Sequence, residues 1–436
     1  MKFAVKFADR LKRFLRRQPR IVFLVSVITI AVLIGVTPGI VQYFEPSPLA
    51  KPIPVLVYPQ VHSDSHLPVR KNVVNLTPQE KTAFVNAIKA LTTTIPEGSQ
   101  LSIYDQIVLK HVFTMGFGGN PESTGSLKAN PAHGRAAFLP WHRQYLLEFE
   151  QALQAIDPSV TVPYWDWTDP NALDVIFQED FLGTNGQGMT VEIPGAGTFT
   201  GGLVTSGIFA DWTLNPDIHF EWHTRTSFGS TLRRFVAVPP FNQYPLPKSA
   251  VEALFNFDHY EVFNALIEGA ESLNRQGKLV EDWVLHAYIH TLIGGVLVED
   301  AYPKRGLPKE IEALGTMNSI PCSPYDPIFW LNHANVDRLW AEWQDQGHTG
   351  TTFFPATGNP FGHNLNDPMW PWDNGLSAPG NLGPGNLLAL LPEITTNQVV
   401  TPANVLDFRA LGYTYDTTRV AANHDNHHSE PLDHHS

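Results

Sequence analysis

The stretch from Asp326 to Gln344, D-P-I-F-W-L-N-H-A-N-V-D-R-L-W-A-E-W-Q, demands a buried helix. The Asp326 carboxylate can cap free N–H groups, and Pro327 costs nothing in a first turn. Phe329, Trp330, Val336, Leu339, Trp340 and Trp343 then recur at helical intervals and build a thick apolar face. His333 and Asp337 lie four apart on one stripe of it. One histidine on such a face is ordinarily a hydrogen-bonded core residue. Five more histidines in matching settings change that reading.

The first three lie upstream. A helix is predicted from about Tyr104 to Met115, with Ile107, Val108, His111 and Val112 on its inner side. The segment Ala132 to Glu150 reads A-H-G-R-A-A-F-L-P-W-H-R-Q-Y-L-L-E-F-E. His133 falls in a loop before a glycine, and Pro140 opens a helix whose inner face carries His142, Tyr145, Leu146, Phe149 and Leu153. His111, His133 and His142 can therefore converge on one point. The second set starts at Leu285, L-H-A-Y-I-H-T-L-I-G-G, where His286 and His290 stand one helical turn apart. A zinc-protease motif needs glutamate after the first histidine, and Ala287 occupies that place. Gly294-Gly295 ends the helix, and His333 supplies the third imidazole.

Cys322 is the only cysteine, so any metal must be held by nitrogen and oxygen, and no internal disulfide exists. All-imidazole sites suit copper, zinc, iron or nickel. Two trios on antiparallel helix pairs suggest a mainly α fold: a four-helix bundle enclosing two ions, with long loops and a few short strands. Two adjacent copper(I) ions can together give O₂ two electrons.

The remainder of the chain sets boundaries. Residues 1–43 carry eight Lys/Arg against Asp9 alone, a net +7 that leaves −20 on the rest of a chain whose total is −13. An acidic body excludes nucleic acid as a natural partner. Ile21 to Ile40 is apolar enough, and at ~20 residues long enough, for a membrane span. No small-residue cleavage pattern follows it, so residues 1–43 read as an uncleaved anchor, with the basic end cytoplasmic and the acidic body on the other side. Arg16-Arg17 fits a twin-arginine signal poorly. Residues 44–67 read as a tether, 68–417 as the folded domain, and 418–436 as a polar tail.

Within the domain, Thr77-Pro78-Gln79-Glu80 forms a capping box ahead of a helix. Phe235 to Val238 is a β-like run, and Glu252 to Glu271 reads as one helix ending at Glu268-Gly269. His219 and His223 repeat the four-residue spacing in poor helical surroundings, and read as surface or outer residues. His62 and His66 read as tether. The tail histidines His424, His427, His428, His434 and His435 fit copper collection and a solvated end equally well.

The segments around His133 and His142, V-P-Y-W-D-W at Val162, H-A-Y-I-H followed by G-G, and the Asp326 helix together resemble the two copper-binding regions of the tyrosinase family. Order and spacing also match, and the resemblance covers about Arg70 to Asp416. It implies a binuclear copper site with O₂ as co-substrate. Copper A would be held by His111, His133 and His142, and copper B by His286, His290 and His333. It further implies that Leu411-Gly412-Tyr413-Thr414-Tyr415 is the closing tyrosine motif, partnered by Arg70. Little follows that motif, so a C-terminal lid domain is expected to be absent. Pro131 and the single cysteine exclude a cysteine–histidine thioether at His133.

Departures from the family pattern bear on the reaction. Many members place asparagine after the first copper B histidine, where it holds a water together with a glutamate. Here that position is Ala287; Glu268 is the counterpart of the glutamate, with Glu281 and Asp282 as nearer substitutes. Asn332 replaces the first histidine of a usual pair, a change expected in the substrate pocket and toward o-aminophenols. Phe329 is expected beside the site. The resemblance thus implies a polyphenol oxidase that converts small o-diphenols to o-quinones, with weaker hydroxylation of monophenols. The alternatives are an o-aminophenol oxidase, a hemocyanin-like oxygen binder, which the missing shielding domain disfavours, and a zinc-binding scaffold.

Overall fold

The structure, a computed structural model, describes residues 67–117, 124–125, 127–273, 278–299 and 310–418. The expected anchor at 1–43, nearly all of the tether and the His-rich tail lie outside these residues. Among the described residues no helix is long and apolar enough to cross a membrane.

Among the described residues, eight α-helices form the frame: α1 (Pro78–Thr93), α2 (Ile103–Thr114), α3 (Phe138–Gln154), α4 (Ala172–Ile176), α5 (Lys248–Glu252), α6 (Tyr260–Glu268), α7 (Leu285–Gly294) and α8 (Ile328–Asp345). Helix α8 is the centre. Sixteen of its eighteen residues are buried, which marks a helix packed on all sides. Helices α3 and α7 pack against α8, α1 packs on α2 and α3, and α6 packs on α3 and α7. Its start follows the sequence: the Asp326 carboxylate accepts the Ile328 N–H at 3.1 Å, while also taking both arms of the buried Arg234 guanidinium at 2.8 Å.

The capping box at Thr77 and Glu80 is present, and a second, Ser102 with Asp105, starts α2. Helix α3 begins at Phe138, two residues before the proline expected to open it. The helix expected over Glu252 to Glu271 is broken. Helix α5 passes into a 3-10 turn at Ala253–Asn256, and the chain is extended at Phe257 and His259 before α6 begins. The reason is tertiary: the Phe257 carbonyl accepts the Trp343 indole N–H at 2.8 Å, and so is withdrawn from a helical ladder. The expected end at Glu268 holds, with Gly269 left-handed at φ 82°.

Strands are short. A parallel pair joins β1 (Val69–Arg70) to β11 (Thr414–Tyr415), and an antiparallel pair joins β2 (Thr124–Gly125) to β10 (Ser377–Ala378). The antiparallel sheet β3 (Gln187–Ile193), β4 (Gly197–Leu203) and β5 (Arg233–Arg234) is the largest. Two hairpins, β6 (Glu271–Leu273) with β7 (Leu279–Glu281) and β8 (Val296–Val298) with β9 (Glu310–Ala313), complete the set. Phe235 to Val238 is not a strand. Phe235 and Ala237 donate their N–H groups to Ile293 and Leu292 at the end of α7, and the Phe235 side chain joins a small core cluster with Ile193, Val238 and Leu314.

The two ends of the described chain are locked together. Arg70 is fully buried, donates to Glu150, Asp337 and the Tyr415 hydroxyl, and lies 3.5 Å from the Tyr413 ring centroid. The expected partnership of Arg70 with the tyrosine motif is therefore present.

Candidate metal centre

Four helices carry five of the six expected ligands: His111 on α2, His142 on α3, His286 and His290 on α7, and His333 on α8; His133 lies in the loop before α3. The structure gathers them as two triads, His111/His133/His142 and His286/His290/His333, and within each triad the nitrogens lie within 4.8 Å of one another. The triads face each other. The His142 and His333 rings stack at 4.3 Å with 15° between their planes, and Phe138 and Phe329 wall both triads.

Backbone carbonyls set the tautomers. The Nδ1–H of His111 donates to Pro321 O at 3.0 Å, that of His142 to Phe138 O at 2.9 Å, that of His286 to Glu268 O at 2.8 Å and that of His290 to Met317 O at 2.7 Å. Each bond fixes the proton on Nδ1 and leaves the Nε2 lone pair free, which is the outer support that metal-binding imidazoles need. Among the described residues the His111 and His142 Nε2 atoms are buried without a partner, as are Nδ1 of His133 and of His333. In the second triad, His286 Nε2 lies 3.0 Å from Nε2 of both His290 and His333. The His286 and His290 lone pairs thus face each other in a dry cleft with no proton between them, which fits a cation.

Burial depresses all six imidazole pKa values. His111 falls to about 3 and His290 to about 4, with desolvation the largest cause in each. The remaining four are driven well below the ordinary range by burial and by neighbouring histidines. The rings are therefore neutral and ready to bind metal at physiological pH.

Glu268 is tied to both triads by hydrogen bonds. Its carboxylate accepts the Gly134 N–H at 2.7 Å, next to His133, while its main-chain carbonyl holds His286. Burial pushes its carboxyl up to about 8, against the lowering effect of the Gly134 bond. Ala287 is partly exposed beside the buried His286. Asp282, the nearer substitute, accepts its own neighbour's N–H, from Trp283 at 2.8 Å.

Asn332 was expected to alter the substrate pocket. It is fully buried and its Oδ1 accepts the Trp167 indole N–H at 2.9 Å, a contact with the V-P-Y-W-D-W segment. His219 corrects another expectation. It is not at the surface but fully buried, with its Nδ1–H donating to Gly229 O and its Nε2 accepting from Thr316 Oγ1, each at 2.8 Å. It belongs to neither triad; nor does His223, which pairs with Glu221 at 3.1 Å.

Sequence reasoning passed over Phe138 as a wall, although it sits inside the His133–His142 motif. It also missed the carbonyls of Pro321 and Met317, which no side-chain pattern could reveal. Tyr260 and Asn264 on α6 escaped too, because the α6 periodicity was read only for its apolar face.

Two facing three-histidine sites in a helical core define a binuclear metal protein. Residues 101–346 match the common central domain of tyrosinase. The chain is 33% identical over 361 residues to a tyrosinase of Streptomyces glaucescens, covering 80% of this chain and 99% of that one. It is 30% identical over 331 residues to a grixazone synthase of Streptomyces griseus, covering 70% and 93%. A mutant polyphenol oxidase from Thermothelomyces thermophila shares the fold, with a TM-score of 0.50 at 22% identity, covering 80% of this chain and 88% of that chain. The chain belongs to the tyrosinase family, whose members are copper oxidoreductases with a binuclear copper site that uses O₂, and the two triads fit that site.

Proposed function

We propose that this protein oxidises small o-diphenols to o-quinones with O₂, and hydroxylates monophenols more slowly. The observation that carries the reading is the pair of stacked triads with a partly exposed alanine, Ala287, directly after His286. Copper held by the two triads would supply the electron transfer through which two diphenols lose two electrons and two protons each while one O₂ becomes two waters. The chain's own residues do the rest. Phe138 and Phe329 exclude water around the imidazoles, the four carbonyls hold four rings in register, and the buried Glu268 carboxyl beside Gly134, once ionised, is the group assigned the proton of an incoming phenol.

That proton separates the two reactions. A free phenol has a pKa of ~10 and must be deprotonated before it binds a metal. The asparagine that many family members use with the glutamate is here Ala287, which offers no hydrogen bond. Diphenol oxidation is expected to run well above monophenol hydroxylation, and Ala287→Asn to raise hydroxylation more than catechol oxidation. Rates on tyramine and dopamine check this; near-equal wild-type rates on the two overturn it. Purified, copper-loaded protein assayed on a monophenol, a catechol and an o-aminophenol tests the reading as a whole, and metal analysis excludes or admits the zinc scaffold.

Residues 1–43 are assigned to membrane anchoring on their sequence, which joins a basic segment to an apolar run, with the catalytic domain on the non-cytoplasmic side. Full-length protein is expected to stay in the membrane fraction through a high-salt wash, because an apolar span is not held by charge. Release by salt alone, or a mature N-terminus near residue 50, would remove the anchor from this reading.

A further inference from the structure

Four of the six ligand rings are fixed through their second nitrogen by a backbone carbonyl. His133 and His333 are not: among the described residues the Nδ1 of each is buried without a partner. His333 needs no such bond, because it sits in the middle of α8 with its ring between Phe329 and His142. His133 has neither support. It lies on a loop, and it is the one ligand of the six that is only partly buried. The position of its ring therefore depends on the backbone that carries it.

Helix α6 holds that backbone at successive points. Tyr260, Asn264 and Glu268 stand at i, i+4 and i+8, a single stripe of the helix. The Tyr260 hydroxyl donates to Ala136 O at 2.6 Å. Asn264 Nδ2 donates to Arg135 O at 3.1 Å, and its Oδ1 accepts the Leu139 N–H at 3.4 Å. Glu268 Oε1 accepts the Gly134 N–H at 2.7 Å. The stripe thus grips residues 136, 135 and 134 in turn, ending beside His133. All three side chains are buried, while the Gly134 and Arg135 backbone that they hold lies at the surface.

We propose that the Tyr260–Asn264–Glu268 stripe is the positioning element for copper A, acting through the loop to place His133. The Glu268 carbonyl bond to His286 ties the same helix to the second triad. This rests on the assignment of the triads to copper, and it goes beyond it in giving α6 side chains a role in metal affinity. Loss of an outer support typically weakens metal binding by about 10- to 100-fold.

The test is a copper titration of the full-length chain against a competing chelator, with unfolding followed in parallel. Wild-type protein should bind two coppers; if it does not, the copper assignment itself fails, separately from this proposal. Asn264→Ala and Glu268→Ala should each leave one copper at wild-type affinity and weaken the other by about 10- to 100-fold. Tyr260→Phe, which removes a single hydroxyl, serves as the mild variant and should weaken the same copper by less. Glu268→Gln keeps an oxygen that accepts from Gly134, so it should restore two-copper binding while leaving phenol hydroxylation impaired. A purely structural role would lower both affinities together, or only the unfolding midpoint, and would overturn the proposal. So would wild-type affinity for both coppers in Glu268→Ala and Asn264→Ala, or Glu268→Gln binding as weakly as Glu268→Ala.

Discussion

Alanine at His142 or His290 is expected to leave one copper per chain and almost no oxidase activity. Each ring contributes one nitrogen to a triad whose members lie within 4.8 Å, and two nitrogens do not make the closed site that the third completes. One copper alone cannot carry a two-electron exchange with O₂, so activity falls far more steeply than metal content. Metal analysis should show the loss of one ion, and the near-ultraviolet band raised by hydrogen peroxide in copper-loaded wild type should vanish. Two coppers retained in either variant would refute the ligand assignment. His219→Ala is the contrasting case. Both coppers should remain, but the Gly229 carbonyl and Thr316 hydroxyl lose their buried partner, at a cost of about 1–3 kcal/mol in unfolding free energy.

Removing the Asp337 carboxylate with alanine should cost about 3–5 kcal/mol of stability, enough to unfold a marginal domain. Asp337 lies one turn beyond His333 on α8 and accepts four bonds: from Arg143 Nε at 2.5 Å, Arg70 Nη1 at 3.1 Å, Tyr413 at 2.6 Å and Tyr415 at 2.7 Å. Without it, two guanidiniums with no exposed surface lose a counter-charge. Denaturant unfolding measures the loss; a change under 1 kcal/mol would mean that Glu150 alone neutralises the cluster. The same network predicts acid sensitivity. Burial works to raise the Asp337 pKa, but Arg143, Arg70 and the two tyrosine hydroxyls prevail and hold it below the ordinary 3.8. A carboxylate depressed in the folded state contributes stability that is complete above its unfolded pKa. That stability disappears as pH falls through the lower folded value, so the contribution should be flat above about pH 5 and fade below 3.8.

How much of this was legible beforehand depended on whether the information was carried by side chains in local order. The α8 helix, the i, i+4 pair at His286 and His290, and both Gly ends, at Gly269 and Gly295, follow from helical periodicity and from the backbone freedom of glycine. His333 joins the second triad while its neighbour Asn332, equally buried, turns to the Trp167 indole. The break at Phe257 did not show, since residues 252–271 have helical composition and only a distant indole, Trp343, draws the carbonyl away. His219 was misplaced for the same kind of reason: its two partners, Gly229 and Thr316, have no signal in the local pattern.

The sequence by itself determined the two histidine trios, the neutral-nitrogen chemistry they offer and the helices that carry five of the six, because those properties reside in residue type and spacing. Only the tertiary structure decided what orients the ligands. The carbonyls of Pro321, Phe138, Glu268 and Met317, and the α6 stripe beneath His133, are brought into place by packing between segments far apart in the chain. A main-chain carbonyl is the same in every residue, so its use at one position leaves no mark in the sequence; it exists only once the helices have docked.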